Sequence, residues 1–216
     1  IEGLNSAQLK YGTADAKTVT LSFWARTSVG GNYSICLRNS AADQNYLAQY
    51  ALSVNTWTYV TVTVPGRTTG TWLTTNGKGL EVLLAIDVGS NFYGTNNTWN
   101  AASYKIGLAN DDNTWSDTTG NTFELTGVQL EVGSKTTPFE YRNYGDELAR
   151  CQRYFSRSQG GQGGTYEIGV ALPNLASRVA GPVKFMVTMR AAPTVTIYGA
   201  NGGVGKVSLY NDSTAD

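Results

Sequence analysis

Histidine is missing from the 216 residues altogether. That absence removes the Ser-His-Asp and Cys-His forms of nucleophilic catalysis and the imidazole zinc sites at once. Cysteine occurs only at Cys36 and Cys151, too far apart for a paired metal spacing and too few for a disulfide scaffold. Both are expected to be buried free thiols. Charged residues make up only 15%, and 16 Lys+Arg balance 16 Asp+Glu, so the net charge is zero. A nucleic-acid binder held by phosphates needs a basic surface, which this composition does not supply. No apolar stretch approaches the ~18 residues of a membrane-spanning helix, so no membrane insertion is expected. The opening Ile1-Glu2-Gly3-Leu4-Asn5 lacks the basic-then-apolar pattern of a signal peptide. The abrupt start and end are those expected of a piece of a longer protein.

What is present is aromatic and small: 13 Tyr, 6 Phe, 5 Trp and 25 Gly. Period-2 alternation dominates the first 130 residues. Val19, Leu21, Phe23 and Ala25 alternate with Thr20, Ser22, Trp24 and Arg26; Tyr33, Ile35 and Leu37 with Ser34, Cys36 and Arg38; Val60, Val62 and Val64 with Tyr59, Thr61 and Thr63. The nearly continuous apolar run 80–88 predicts a central strand covered on both faces. Tyr104, Ile106 and Leu108 predict another strand. Over 123–131 the phase changes at Thr126-Gly127, which predicts a β-bulge there. Six or seven such strands with Gly/Asn/Thr loops predict an all-β chain, a jelly-roll β-sandwich.

The pattern changes after residue 143. Over 144–155, Asp146 is an N-cap candidate, acid precedes base, and Leu148, Cys151 and Phe155 share one face of a short helix. That face is expected to pack on a domain or a partner chain. A Gly/Ser/Gln-rich stretch, 156–164, reads as a connector. Strands are predicted at Gly169–Leu172, Val183–Met189, Thr194–Tyr198 and Gly205–Tyr210. The expected organisation is therefore a jelly roll over 1–143, a helical connector over 144–158 and a small C-terminal β domain over 159–216. Charge divides with it: residues 1–150 hold 10 basic and 13 acidic side chains, residues 151–216 hold 6 and 3, and all five tryptophans precede residue 116.

Three kinds of chemistry are conceivable on such a frame. Catalysis would need two opposed carboxylates. Glu81, Asp87, Glu124, Glu131 and Glu140 lie in the strand regions, and Pro138-Phe-Glu-Tyr141 loosely resembles the nucleophile strand of endoxylanase-type glycosidases. No second glutamate sits in a comparable setting, and the E-x-D-x-x-E arrangement of laminarinase-like sandwiches is absent, so no enzyme is expected. The strand acids read as solvated side chains, with Glu140 paired to Arg142 or another arginine. Asp111, Asp112, Asn113 and Asp117 offer oxygen ligands of the calcium type, but without EF-hand spacing they read as turn formers. Neither metal nor cofactor is expected.

A sugar site combines an aromatic ring, on which the C–H face of a pyranose stacks, with planar polar groups that take up its hydroxyls. Two places supply both. One is the outward face of the early strands, with Trp24, Arg26 and Arg38, joined by Gln49. The other is the loop cluster holding Tyr93, Trp99, Asp111, Asp112 and Trp115. Of these, Tyr93 and Trp115 are the better candidates for exposure, whereas Trp57 and Trp72 are expected in the core.

An ordered series of segments carries a resemblance: Thr20-Leu-Ser-Phe-Trp-Ala-Arg-Thr-Ser28, Cys36-Leu-Arg-Asn39, Asn55-Thr-Trp-Thr-Tyr59, Val64-Pro-Gly66 and Gly70-Thr-Trp72. It continues in Leu125-Thr-Gly-Val-Gln-Leu-Glu-Val-Gly-Ser134, Thr137-Pro-Phe-Glu-Tyr-Arg142 and Tyr144-Gly-Asp-Glu-Leu-Ala-Arg-Cys-Gln-Arg-Tyr154. Over roughly 10–155 the chain resembles the carbohydrate-binding-module-like domains of phage tail fibre proteins. The β tail with Met189-Arg-Ala-Ala-Pro-Thr-Val-Thr196 resembles the region that follows in such fibres. The resemblance implies a galactose-binding-like jelly roll on a homotrimeric virion fibre, assembled in the host cytoplasm, that attaches to host cell-surface polysaccharide without cleaving it. The alternatives are a structural trimerisation domain of the fibre and a polysaccharide depolymerase. Related cellulose- and xylan-binding modules hold a structural calcium with an aspartate whose place here falls near Thr126-Gly127, and no sugar-contact residue transfers by motif.

Overall fold

The computed structural model describes residues 1–157, 172–175, 178–180 and 185–196. The chain divides into two compact units, 1–140 and 141–216.

The first unit is an all-β sandwich. Its strands are β1 (Val19–Thr27), β2 (Gly31–Arg38), β3 (Asn45–Leu52), β4 (Thr58–Val64), β5 (Glu81–Ala85), β6 (Thr98–Asn100) and β7 (Phe123–Val132). They form two antiparallel sheets, β4-β1-β7 and β5-β2-β3-β6. Alternation decides the faces, because successive side chains on a strand point to opposite sides. From β1 come Val19, Leu21, Phe23 and Ala25, from β2 Tyr33, Ile35 and Leu37, and from β4 Val60, Val62 and Val64. With Tyr46, Ala48, Tyr50 and Leu52 of β3 they make one buried cluster between the sheets. Burying a side chain of this size contributes about 1.5–3 kcal/mol, so this layer supplies most of the drive for the sandwich.

The phase change in β7 is resolved by a bulge. Ser22 pairs with Gln129 and Trp24 with Thr126, so two residues of β7, Gly127 and Val128, stand opposite Phe23. Gly127 takes φ +59°, the left-handed conformation that glycine enters without cost. Leu125 and Leu130 thereby both come to lie opposite inward residues of β1, Ala25 and Leu21.

Two predicted strands come out differently. Within the 80–88 run only Glu81–Ala85 is strand, as β5, and it lies at the sheet edge rather than its centre, although apolar cover on both faces is present. Tyr104, Ile106 and Leu108 form no strand. Tyr104 has φ +58°, and the segment instead roofs the outer face of the four-stranded sheet. There Ile106 and Leu108 pack with Cys36, Leu47 and Leu83 in a second, smaller core.

In the second unit α2 (Tyr144–Gln152) follows an N-cap at Asn143, not Asp146, with Asp146 and Glu147 in its first turn and Arg150 in its last, the order the helix dipole favours. A one-turn helix, α1 (Gly3–Ser6), opens the first unit. Leu148, Cys151 and Phe155 are exposed, Phe155 to 73%. Strands β8 (Leu172–Leu175) and β9 (Arg178–Ala180) pair antiparallel. Within the predicted strands 183–189 and 194–198, residues 185–189 and 194–196 are not strand. The predicted strand 205–210, residues 169–171 of the first tail strand and most of the connector lie outside the described residues. No helix among the described residues is long and apolar enough to cross a membrane.

Candidate functional site

The outer face of the three-stranded sheet carries an exposed aromatic patch. Alternation puts Trp24 and Arg26 outward on β1, and Trp57 and Tyr59 share the outward parity of Thr61 and Thr63 along β4. Trp24 faces Tyr59 across the β1–β4 pair, ring centroids 5.2 Å apart and tilted by 44°. Each ring keeps its access to solvent: Trp24 is 43% exposed, Tyr59 43% and Trp57 42%. Beside them Arg26 lies over the Trp57 ring, its guanidinium carbon 5.4 Å from the centroid. On the other side Arg26 meets Glu124 of β7, its register partner. Nε and Nη2 donate to the two carboxylate oxygens, the latter at 2.9 Å. Hydrogen bonding from Arg26, against a smaller desolvation effect, holds the Glu124 carboxyl below the usual carboxylate range.

Two rows thus cross the sheet, Glu124–Arg26–Trp57 and Thr126–Trp24–Tyr59. Strand spacing of ~4.8 Å and an outward repeat of ~7 Å along each strand make the Trp24–Tyr59–Trp57 triangle about the size of one or two pyranose rings. One further ring borders it. Residues 137–140 fold back beside β7, where Thr137 donates to Glu131, Gln129 Nε2 to the Pro138 carbonyl at 3.4 Å, and the Glu140 amide to Gln129 Oε1 at 2.8 Å. That clasp brings Phe139 close to Gly127. A Cβ on Gly127 would lie 3.5 Å from Trp24 and 4.0 Å from Phe139, so the missing side chain leaves the floor between the two rings open.

The other sequence-predicted residues go elsewhere. Arg38 is on β2, in the opposite sheet from Trp24 and Arg26, where its Nε donates to Glu81 at 2.7 Å and both side chains are mostly buried. Desolvation pushes the Glu81 carboxyl up, but its bonds from Lys78 and Arg38 outweigh that and leave it lowered. Gln49 is a clamp for the roof, donating to Asp111 Oδ1 at 2.8 Å and accepting from Asn110 at 3.2 Å. Asp111 also accepts from the Leu108 amide, and Asp112 from the Thr114 amide and hydroxyl, so both carboxylates are spent on the loop.

Among the described residues no group of three or more acidic or thiol side chains is arranged to hold a metal. Trp99 closes one end of the sandwich, edge-on to Tyr11, Tyr46 and Trp72 at 5.5–5.9 Å, with Nε1 donating to the Pro65 carbonyl at 2.9 Å. Trp72 packs there as expected. The expectation of exposure fails for Trp115, whose ring packs against the core with its indole nitrogen buried. Tyr93 is half-buried, its hydroxyl accepting from Asn113 at 2.8 Å. Short polar loop residues fold these rings inward because they satisfy one another instead of solvent. Arg142 pairs with Glu147 at 3.3 Å and not with Glu140.

The cysteines differ as well. Cys36 is buried under the roof and its thiol is pushed up to about 12 by burial, whereas Cys151 is exposed, contrary to expectation. At pH 8 a thiol-specific reagent should therefore label Cys151 alone, and Cys36 only after denaturation. Rapid labelling of both would contradict the roofed arrangement.

Comparison with family models, curated proteins and solved structures finds no match to this chain.

Proposed function

We propose that the sandwich is a non-catalytic glycan-binding module, with Trp24, Tyr59 and Trp57 as its stacking platform and the Arg26–Glu124 pair as its hydroxyl-bonding edge. The observation that carries this reading is the concentration of three exposed rings on one sheet face. Soluble proteins rarely leave such rings contiguous and open without a partner. Rings fixed on paired strands and a guanidinium pinned on two sides lose little freedom on binding, which suits a weakly polar, hydroxyl-rich ligand.

The acids of the sheets support binding over cleavage. A glycosidase general acid needs a raised carboxyl, whereas those of Glu81, Glu124 and Glu131 are all lowered, Glu131 chiefly by its bond from Thr137. With zero net charge, the partner we infer is a host cell-surface polysaccharide, and the setting is the phage tail fibre that segments 125–154 resemble.

The test is a glycan array probed with the chain, together with a reducing-end assay on the bound polysaccharides. Binding without release of reducing ends is the expected result. Release that is lost on neutralising a carboxylate would favour the depolymerase instead.

One observation favours assembly as part of the role. Leu148 and Phe155 of the helical segment are exposed apolar side chains, and we infer that a homotrimer covers them, as in a fibre. A trimeric mass at micromolar concentration is expected by light scattering, and a monomeric one contradicts this part. An intact trimer that binds no glycan would leave a purely structural fibre domain.

A further inference from the structure

We propose that the Trp24–Tyr59–Trp57 face selects uncharged glycans and rejects those bearing carboxylates, because Glu124 already pairs with Arg26 and compensates its charge. The inference rests on the glycan-binding reading above and adds to it the class of sugar.

Arginine recognises a carboxylate by presenting two parallel N–H groups to its two oxygens. On this face Arg26 presents Nε and Nη2 to Glu124, and its flat side lies over Trp57. A uronate or sialate arriving at the platform meets a guanidinium whose charge Glu124 already compensates, whose side-on edge of Nε and Nη2 is filled and whose flat side lies over Trp57, so that the end-on edge carrying Nη1 is what it can reach. To take the filled edge it must expel Glu124 and leave that carboxylate unpaired beside it, and to take the end-on edge it must bring a second carboxylate to the one guanidinium; either way it makes a like-charge contact that interfaces avoid. The second acid on the outward side of β7, Glu131, adds to the negative field. Arg26 is the one cation among the outward-facing strand residues of this sheet, which carry two carboxylates, Glu124 and Glu131.

A neutral pyranose meets the same groups to advantage. Its C–H face stacks on the rings, while Nη1 of Arg26 donates to one hydroxyl and the Glu124 oxygens accept from a neighbouring one. The pair thus acts as a fixed donor beside a fixed acceptor, spaced for two adjacent hydroxyls.

Matched oligosaccharides that differ only at C6 separate the possibilities. The probes are β-1,4-mannohexaose with its mannuronate counterpart, and cellohexaose with β-1,4-glucuronate hexamer, alongside an array of neutral glycans. Each is titrated against the wild-type chain, Trp24→Ala and Glu124→Gln. The expected result is Trp24-dependent binding of neutral glycans and at least ~10-fold weaker binding of any oxidised counterpart, about one charge contact's worth. Glu124→Gln is expected to raise the acidic-to-neutral affinity ratio by a similar factor, since it leaves the Arg26 fork uncompensated. Trp24-dependent binding of uronates by the wild-type chain as tight as that of neutral glycans overturns the selectivity while leaving the platform intact. An unchanged ratio in a folded Glu124→Gln overturns the assigned role of that residue. Absence of binding to every probe and array glycan overturns the underlying reading itself. The wild-type comparison stands whether or not the variant folds.

Discussion

Trp24→Ala is expected to weaken glycan binding by about 30-fold or more while leaving the fold intact. The magnitude follows from the position. Trp24 stands on the central strand of the sheet, between Tyr59 at 5.2 Å and the open floor at Gly127. Central aromatic anchors of this kind are worth about 2 kcal/mol or more on truncation. Stability should change little because the side chain is 43% exposed and contributes nothing to the layer between the sheets. Tyr59→Ala should act in the same direction and less than additively, since the two rings share one contact. Calorimetric titration of the folded variants checks both. Undiminished affinity in Trp24→Ala would place the sugar somewhere else on the molecule.

One residue earlier on the same strand, the expected effect reverses. Phe23→Ala should destabilise the sandwich by about 3–5 kcal/mol. Phe23 points inward at 1% exposure, meets Tyr50 edge-on at 5.4 Å, and sits where the β7 bulge doubles the opposing strand. Its removal leaves a cavity beneath the central strand of the smaller sheet. For a chain of this length, the melting temperature should fall by roughly 10 °C, read by loss of near-ultraviolet dichroism. Equal melting temperatures for Phe23→Ala and wild type would contradict the assigned faces of β1. The adjacent pair is a sharp test because a one-residue slip in register exchanges their roles.

Parity made much of this legible from residues alone. Trp24 and Arg26 fall opposite Phe23 and Ala25 in any pleated strand, and that reading matches the structure. The same rule exposes Trp57 and Tyr59, since they share parity with Thr61 and Thr63 and not with Val60, Val62 and Val64. A tryptophan at a strand start usually plugs a loop, which is why the core is the expectation for Trp57; parity is the better guide, and the ring is 42% exposed. Glu124 could be found the same way, from Phe123 and Leu125 on either side.

Loops do not carry such a signal. Tyr93 and Trp115, among Asn and Asp residues, look like exposed binding rings. The same polar neighbours in fact satisfy loop amides and fold the rings inward, and only three-dimensional closure decides between those outcomes. Arg38 failed for another reason: alternation gives its face but not which sheet its strand joins, and pairing between distant strands is not written locally. The apolar run at 104–108 likewise names burial without naming strand, and the chain used it as a roof.

Where on the sandwich a glycan sits is reported directly by the five tryptophan indole N–H signals in a 15N correlation spectrum. Titration with a bound neutral oligosaccharide should shift the resonances of Trp24 and Trp57, assigned by substitution. Those of Trp72, Trp99 and Trp115, all packed against the core, should stay in place. Shifts confined to Trp99 and Trp115 would move the site to the loop end of the sandwich and contradict the platform on the β4-β1-β7 face.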